Sequence, residues 1–242
     1  MLDDNGGTEF TTACIDFDSV PRAVNSRARP GMEAFVAELR ARGYPIRRRQ
    51  VQAKQHLFRA GQAATSLFLV HSGNFKASVV SEDGREKITG FRLRGDLLGM
   101  ETLDLPTYAC DVAALDMGEV WELPYSALCE EPGFQDRLAA AMAGEIRRDW
   151  NWMLAIGTLT AEQRVIAFLL DLAARMEALG FSARSMMLRM SRAELGNFLA
   201  LQLETVTRAL SHLHAQGLIA VERREIRIEE PARLRAMLAG GR

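Results

Sequence analysis

The stretch from Met190 to Ile228, MSRAELGNFLALQLETVTRALSHLHAQGLIAVERREIRI, carries the strongest local signals in this 242-residue chain. Ser191 and Glu194 have the spacing of a capping box, in which two side chains satisfy free N–H groups at a helix start. Gly217 is typical of the residue that follows a helix end. The stretch therefore predicts two short helices separated by a tight turn, and then a hairpin of two strands at 218–221 and 225–228.

The second helix, which is expected to start near Gln202, has two different faces. Its apolar residues recur at helical spacing and are expected to point inward: Leu203, Val206, Leu210 and Leu213. The remaining side chains at the start of this helix are expected to be exposed: Gln202, Glu204, Thr205, Thr207, Arg208 and Ser211.

A helix-turn-helix with a hairpin wing places its second helix in the major groove of DNA. Arg208 can donate two hydrogen bonds to guanine, Glu204 can accept one from cytosine, and Thr207 can contact a thymine methyl group. Gln202 and Thr205 lie beside them, and the predicted contact surface is completed by Ser191, Arg192, Arg223 and Arg224. Spacing alone leaves an alternative, which is an ordinary helical hairpin with a charged, solvated face.

The segment MSRAELGNFLALQLETVTRAL resembles the helix-turn-helix of the Crp/Fnr family of bacterial transcription regulators, in its Fnr branch. That branch has E-x-x-S-R in the recognition helix, and this chain has E-x-x-T-R at Glu204, Thr207 and Arg208. The resemblance extends back to about Arg47 and implies recognition of TTGAT-type half-sites. Ala200 stands where this branch commonly has a turn glycine.

The overall composition is that of a soluble globular protein, with 48% hydrophobic and 25% charged residues and a net charge of −1. From 181 to 228, however, seven arginines stand against four glutamates, and this local charge of +3 suits contact with phosphates. No apolar run reaches the roughly 18 to 20 residues of a membrane span, and the N-terminus lacks the pattern of a signal peptide. We therefore expect a cytoplasmic protein with no membrane partner.

Between 51 and 126 the pattern changes to short strands separated by glycine and charged residues, which predicts an antiparallel jelly roll. The expected strands are 56–59, 66–71, 74–81, 86–93, 110–114 and 118–124. Gly61, Gly73, Gly84 and Gly95 are expected at turns, and Arg47–Arg49 is expected to be a solvated connector. The segment that starts LFRAGQAATSLFLV resembles the family's β-roll sensor domain, which is like a cyclic-nucleotide-binding domain.

The expected fold class is α+β, with four regions along the chain. Residues 1–28 are expected to be a loosely ordered arm, 29–131 the β-roll sensor domain, 132–159 a long dimerisation helix, and 160–242 the winged helix-turn-helix domain.

The long helix is expected to pair with a second copy of the chain. Its residues repeat at the alternating three- and four-residue steps of a coiled-coil seam: Leu138, Met142, Ile146, Asp149, Met153 and Ile156. A homodimer also suits an inverted-repeat DNA site, although the seam has an alternative, which is packing against the chain's own β-domain. The resemblance implies that Asp149, in GEIRRD, disfavours dimerisation until the sensor is switched on, because carboxylates across an interface repel each other. An alternative is that Asp149 lies just outside the seam.

The residues that the family uses for cofactors are largely missing. Relatives that bind cyclic nucleotides carry a Glu and an Arg in a phosphate cassette, whereas here Met100 takes the place of the Glu and 107–109 supplies no Arg. This argues against a cyclic nucleotide. An iron–sulfur cluster of the Fnr type needs four thiolates, but this chain has three cysteines, Cys14, Cys110 and Cys129, and Trp121 takes the place of the fourth family ligand.

No cofactor is therefore expected, although the residues leave haem open through His56, His71, His212 or His214. Thiol oxidation and a sensor without a ligand also stay open, with Cys110 expected to be buried and inert.

The resemblance also implies contacts with RNA polymerase from two surface loops. The matching positions are Asp83, Gly84 and Arg85 in one loop, and Phe181 and Arg184 in another. Plain solvated turns are the alternative for each residue.

The predicted function is that of a sequence-specific transcription regulator. A small-molecule or haem-binding sensor module with secondary DNA binding is the alternative. We expect no enzyme, because the sequence has no nucleophile elbow, no P-loop and no H-E-x-x-H motif.

Overall fold

The computed structural model describes residues 31–239, and within them the fold is α+β as expected. The predicted arm at 1–28 and Cys14 lie outside the described residues. The helices are α1 (Met32–Ala41), α2 (Tyr125–Leu128), α3 (Phe134–Thr158), α4 (Ala161–Ala178), α5 (Arg192–Leu199), α6 (Leu203–Ala215) and α7 (Pro231–Ala239).

The β-roll consists of two four-stranded antiparallel sheets. Its strands are β1 (Arg47–Val51), β2 (His56–Phe58), β3 (Ser66–Ser72), β4 (Phe75–Val80), β5 (Glu86–Arg92), β6 (Leu97–Leu98), β7 (Asp111–Ala114) and β8 (Gly118–Pro124). One sheet has the order β1-β8-β3-β6 and the other β2-β7-β4-β5. The prediction of a connector at Arg47–Arg49 is wrong, because these residues pair with Val120–Glu122 of β8 and add an edge strand.

Apolar side chains from both sheets fill the space between them. Phe58 and Tyr108 stack with their ring centroids 3.9 Å apart in this core. The turn between β3 and β4 needs glycine at Gly73, where φ is +82° and an added Cβ would lie 2.5 Å from the Cα of Gly118. The predicted turn position of Gly73 is therefore confirmed.

The helical domain packs against the β-roll through β5, whose Ile88 and Phe91 belong to the core of the helices. Phe91 of β5 makes an edge contact with Phe198 of α5 at 5.3 Å, and Trp152 of α3 contacts the same ring at 4.9 Å. Helix α4 contributes Phe168 to the same aromatic cluster, with its ring centroid 6.1 Å from that of Phe198. The start of α4 is fixed by a capping box at Thr160 and Gln163, as its sequence indicates.

The free edge of β5 is covered by a side chain of α5. The Asn197 carboxamide accepts a hydrogen bond from the Ile88 N–H (2.7 Å) and donates one to the Glu86 carbonyl (2.8 Å). It thus pairs with β5 as a neighbouring strand would. Lys87 adds a hydrogen bond to the Phe198 carbonyl (3.1 Å), so β5 and α5 are joined by polar as well as apolar contacts.

A third sheet is formed by β9 (Ser185–Met187), which precedes α5, and by β10 (Ile219–Glu222) and β11 (Glu225–Ile228), which follow α6, in the order β10-β11-β9. The hairpin of β10 and β11 was expected, whereas β9 was not. Across residues 31–239, no helix combines the length and apolar character that a membrane crossing requires.

Candidate nucleic-acid interface

The predicted capping box at the start of α5 is confirmed. The Ser191 hydroxyl accepts a hydrogen bond from the Glu194 N–H (3.2 Å), and the Glu194 carboxylate accepts one from the Ser191 N–H (2.8 Å). Lys76 of β4 lies 3.3 Å from the same carboxylate. Although burial opposes it, these hydrogen bonds from Ser191 and Lys76 lower the pKa of Glu194, so the carboxylate stays charged at the helix N-terminus.

The turn between α5 and α6 is tight. Ala200 has the left-handed conformation with φ +55° and ψ +46°, which an alanine adopts at a cost. The Leu201 N–H then donates to the Gly196 carbonyl at 2.8 Å. An added Cβ on Gly196 would lie 2.6 Å from the Leu201 carbonyl oxygen, so this position requires glycine.

Helix α6 presents one polar face to solvent and buries the other. Glu204, Arg208 and Ser211 are exposed, whereas Thr205 and Thr207 are half-buried. The buried face consists of Val206, Ala209, Leu210 and Leu213. Among residues 31–239 no carboxylate lies within ion-pairing distance of Arg208, and its contact is with the Thr205 hydroxyl at 3.5 Å. Its guanidinium is thus available to a ligand.

The prediction that Leu203 faces inward is wrong. Its side chain is 43% exposed, because Leu203 is the first residue of α6 and precedes the turn that packs against α5. Leu203 lies next to Glu204 at the leading end of the polar face. Sequence periodicity misses this position, since an apolar residue three before Val206 fits the buried stripe equally well.

The wing approaches the starts of both helices and forms a groove with them. This helix–wing groove has a volume of about 390 Å³, and its lining includes Ser191, Arg192, Leu203, Arg223 and Arg224. Arg192 also reaches the Thr207 hydroxyl at 3.5 Å. The structure therefore brings four of the predicted contact residues, Ser191, Arg192, Arg223 and Arg224, to one concave, arginine-rich surface.

The tip of the wing is fixed by the backbone. Arg223 has φ +57°, which turns the chain between β10 and β11 and leaves its side chain exposed. The Arg224 carbonyl accepts a hydrogen bond from the Leu188 N–H (2.8 Å), and its guanidinium reaches the Arg189 carbonyl (3.4 Å). Both predicted wing arginines thus project from an anchored turn.

Helix α3 leaves an apolar stripe uncovered over its second half. Ile146, Trp150, Met153 and Leu154 are 47%, 62%, 71% and 43% exposed. Trp150 and Leu154 were not part of the predicted seam. The predicted seam contains only every third or fourth residue of the helix. It therefore leaves out the neighbouring positions 150 and 154, whose side chains also help to fill an interface.

The first two residues of the predicted seam are packed against other parts of the same chain. Leu138 is 3% exposed in the core formed by α1, α2 and the sheet that contains β8, and Met142 packs against the same core. The alternative of packing against the chain's own β-domain therefore holds for these two residues. Ile156 is half-buried and Asp149 lies at the edge of the exposed stripe.

Asp149 faces the β-roll across a charged contact between β5 and α3. Arg92 of β5 lies 2.6 Å from Glu145, which also accepts a hydrogen bond from Arg148 at 2.7 Å. Burial, and then the nearby Glu145 carboxylate, raise the pKa of Asp149, against a smaller lowering by Arg92 and Arg148. A further negative charge near this carboxylate would therefore be unfavourable.

A cavity of about 420 Å³ lies between the β-roll and α3, and its lining includes Met100 and Glu101, from the stretch that the resemblance matches to a phosphate cassette. Its apolar wall includes Val79, Leu98 and Met142. Its charged lining consists of Arg92, Glu101, Glu145 and Asp149, so carboxylates outnumber the guanidinium, which is already paired with Glu145. These residues do not fit a cyclic phosphate, because a buried anion needs a cation of its own.

The cysteines and histidines of the described chain have structural partners. Cys110 is buried as expected and donates to Glu101 (2.9 Å), and burial, together with that carboxylate, raises the pKa of its thiol strongly. Cys129 is half-buried. His71 stacks on Trp121 at 4.7 Å, so the place of the family's fourth cluster ligand holds a packed aromatic ring. The other histidines contact Asp111 (His56), Glu162 (His212) and the Ile219 carbonyl (His214).

The residues matched to polymerase contacts lie on two separate turns. Asp83, Gly84 and Arg85 are exposed between β4 and β5, and hydrogen bonds from Ser81 and then Arg85 lower the pKa of Asp83. Phe181 is 53% exposed and Arg184 is exposed in the loop between α4 and β9.

Comparison with known families gives two matches. Residues 48–130 match the cyclic nucleotide-binding domain, and residues 163–237 match the Crp-like helix-turn-helix domain. The two ranges correspond to the β-roll and to the helices and wing described above.

Full-length relatives and solved structures agree with these matches. The transcriptional activator protein anr of Pseudomonas aeruginosa is 38% identical over 208 residues, which cover 84% of this chain and 83% of the relative. The fumarate and nitrate reduction regulatory protein of Escherichia coli is 35% identical over 198 residues, covering 80% and 79%. FixK2 from Bradyrhizobium japonicum has a TM-score of 0.72 at 31% identity, covering 79% of this chain and 96% of that structure.

Proposed function

Since the chain belongs to the Crp/Fnr family and is a DNA-binding transcription regulator of that type, we propose that it reads a TTGAT-type inverted repeat as a homodimer and contacts RNA polymerase. The observation that carries this proposal is the exposed E-x-x-T-R face of α6 beside the arginine-rich helix–wing groove. The cytoplasm is the proposed location, because chromosomal DNA and polymerase are there.

Base recognition is assigned to the exposed end of α6. Arg208, with no carboxylate partner among residues 31–239, donates its paired N–H groups to guanine O6 and N7. Glu204 accepts from a cytosine amino group, and Thr207 contacts a thymine methyl group. Gln202 and Thr205 flank these contacts, while Ser191, Arg192, Arg223 and Arg224 hold the phosphates on either side of the groove.

Substitution of Arg208 tests this assignment. Arg208→Ala should weaken binding to a TTGAT inverted repeat by about 1–3 kcal/mol, or roughly five- to 150-fold, and relax the preference at the guanine. Arg208→Lys is the matched control, since it keeps the charge but loses the planar pair of donors. It should show most of the same loss in a gel-shift titration.

Two results would oppose the proposal. Equal loss on specific and scrambled duplexes would mean that Arg208 contacts phosphate alone. Failure of the parent protein to prefer the repeat over a scrambled duplex would reject the proposed half-site, and would favour a sensor module whose DNA binding is secondary.

Dimerisation is assigned to the uncovered stripe of α3. Ile146, Trp150, Met153 and Leu154 form a continuous apolar surface on a 25-residue helix. An apolar stripe of this kind marks an interaction surface, and an inverted repeat requires two copies of the reading helix related by a two-fold axis. Asp149, at the stripe's edge with its raised pKa, opposes association while it is charged.

Activation is proposed from two relatives that are named as transcriptional activators. The polymerase contacts are assigned to two exposed turns, one with Asp83, Gly84 and Arg85 and the other with Phe181 and Arg184.

Charge reversal at Arg85 or Arg184 tests this assignment. Either variant should lower transcription from a test promoter without changing the affinity for DNA. Unchanged transcription in both variants would reject the assignment.

The sensor input is proposed to be neither a cyclic nucleotide nor a cluster of the Fnr type. The first part rests on the carboxylate-rich cavity lining, and the second on Trp121, which is buried and stacks on His71. No cofactor is assigned, and haem, thiol oxidation and action without a ligand stay open. A visible absorption spectrum of protein purified without oxygen separates them. A Soret band means haem, whereas a broad shoulder at about 400 nm means an iron–sulfur cluster and rejects the proposal.

A further inference from the structure

A small crevice lies where the β-roll, α3 and the DNA-reading domain meet. The DNA-reading domain consists of α4 to α7 and the third sheet. The crevice has a volume of about 20 Å³, and β5, α3, α4 and α5 all contribute to its walls. Its ionisable lining residues are Arg92, Arg148, Asp149, Asp171 and Arg175. Because α4 and α5 form part of the walls, the crevice is enclosed only while the DNA-reading domain is docked against the β-roll.

Asp171, on the inner face of α4, is buried in this crevice without a partner. It is 4% exposed, and across residues 31–239 no hydrogen bond or ion pair involves its carboxyl group. A carboxylate can accept about four hydrogen bonds, whereas a crevice of about 20 Å³ has room for about one water molecule. An ionised Asp171 would therefore lack most of the hydrogen bonds that it has in water, at a high cost in a buried position.

The guanidinium groups around the crevice are paired with other carboxylates. Arg175 of α4 lies 2.5 Å from Asp96, in the turn after β5. Arg92 of β5 and Arg148 of α3 lie 2.6 Å and 2.7 Å from Glu145. These contacts join the β-roll, α3 and α4, and they leave the buried carboxyl group of α4 with no close counter-ion in the described part of the chain.

These surroundings favour the protonated form of Asp171. Burial raises its pKa, and this exceeds the lowering by the Arg175 and Arg148 guanidinium groups, while the carboxylates of Asp96 and Glu145 raise the pKa further. Asp171 in the closed crevice therefore keeps its proton above the ordinary aspartate pKa of about 3.9.

We propose that Asp171 is a proton-binding site that holds the DNA-reading domain against the β-roll while its carboxyl group is neutral. A neutral carboxyl group fits the crevice without a counter-ion, whereas an ionised one needs more water than the crevice can admit. Water enters when α4 and α5 separate from β5 and α3, so loss of the proton favours this open arrangement. The proton is then an input that needs no cofactor. The inference concerns docking and does not depend on the DNA sequence that α6 reads.

Docking depends on pH because Asp171 has a higher pKa in the closed crevice than in the open one. The contribution of the proton to docking is fully present below the ordinary aspartate pKa of about 3.9, and it is lost as the pH rises through the raised pKa. Between these limits the ratio of open to docked protein grows by up to about tenfold for each pH unit. Above the raised pKa the ratio stays constant.

The first experiment detects the bound proton directly. In infrared spectra the C=O stretching band of a protonated carboxyl group is distinct from the bands of a carboxylate, and a difference spectrum between the parent and Asp171→Asn isolates the band of this residue. We expect the Asp171 band at about pH 5, where an ordinary aspartate is largely ionised. Asp149→Asn should keep the band, which separates Asp171 from the other carboxyl group that lines the crevice.

The second experiment measures docking through one amide. The Ile88 N–H donates to the Asn197 side chain at 2.7 Å, so its hydrogen exchange reports the separation of α5 from β5. In the parent, protection of this amide, corrected for the intrinsic exchange rate, should fall by up to about tenfold per pH unit above about pH 4 and then level off. Asp171→Asn, which is uncharged at every pH, should remove this dependence. Glu177→Gln is the matched control, since it removes an exposed carboxylate of the same helix, and it should behave like the parent.

Three results would overturn the inference. An Asp171 band that disappears together with those of ordinary carboxyl groups would mean that the site does not retain a proton. A retained band with pH-independent protection of Ile88 in the parent would show that the proton does not control docking. Unchanged pH dependence in a folded Asp171→Asn variant would assign the effect to another group. If that variant does not fold, Asp149→Asn decides: its Ile88 protection must stop falling at the pH where its remaining crevice band disappears.

Discussion

Met153 on the exposed stripe of α3 gives the sharpest test of the proposed homodimer. Its side chain is 71% exposed within one chain, which leaves most of its apolar surface to be covered by a partner. Met153→Ala removes that surface beyond the β-carbon without disturbing the chain's own core, where Met153 makes no contribution.

The magnitude follows from the exposed fraction. Burying a whole methionine side chain is worth about 1.5–3 kcal/mol, so the exposed part of Met153 offers about 1–2 kcal/mol per protomer. A two-fold interface counts the residue twice, which gives about 2–4 kcal/mol per dimer. At about 1.4 kcal/mol for each factor of ten, the dimer should dissociate roughly 30- to 1000-fold more readily.

Sedimentation equilibrium without DNA measures this dissociation constant directly. Met117→Ala is a matched control, since Met117 is 69% exposed but lies in the turn between β7 and β8. It should leave the dissociation constant unchanged. If Met153→Ala and Met117→Ala both dimerise like the parent, the stripe is not the interface and the assignment of α3 is refuted.

Three further predictions concern Ala200 in the turn before α6, the contact of Asn197 with β5, and Asp149 at the edge of the exposed stripe of α3. Ala200→Gly should raise the free energy of unfolding by about 0.5–1 kcal/mol in urea titrations, because relief of the left-handed strain at φ +55° exceeds the added entropy of the unfolded chain; a lower value would contradict the strain. Asn197→Ala should speed hydrogen exchange at the Ile88 amide, since its hydrogen-bond acceptor is lost at a cost of about 1–3 kcal/mol, whereas unchanged exchange would show that the contact does not hold β5. Burial raises the pKa of Asp149, so the folded protein favours the protonated carboxyl. The stability that this protonated form contributes is lost as the pH rises through the raised pKa. Asp149→Asn should therefore dimerise more strongly than the parent at pH 7 and equally below about pH 4, and equal sedimentation at both pH values would reject the role of Asp149.

Much of the DNA-reading domain could be predicted from local patterns. The Ser191–Glu194 capping box, the α6 start and the hairpin of β10 and β11 all follow from residues close in sequence. Leu203 shows the limit of this reasoning, because periodicity describes the direction of a side chain but not whether anything lies there to cover it. Its position before the first packed turn of α6 decides its exposure.

The β-roll was harder to predict at its edges. Arg47–Arg49 has no apolar alternation, yet it forms β1 because β8 offers unpaired backbone groups to it. Pairing of this kind joins residues more than seventy positions apart. The burial of Leu138 also depends on distant residues, since α1 and the β-roll cover the start of α3 within one chain.

The sequence alone determined what kind of protein this is: a β-roll, a long helix and a winged helix-turn-helix whose E-x-x-T-R motif faces outward. The helices and the wing depend on interactions within one element or between neighbours, which spacing encodes directly, whereas the β-roll was expected from its strand spacing together with the family resemblance. Tertiary structure decided what lies between the elements: the shortened stripe of α3, the carboxylate-rich cavity, and the pairing of Asn197 with β5. Each of these depends on which surfaces of distant segments come together, and that is set by the packing of the whole chain rather than by any one stretch of it.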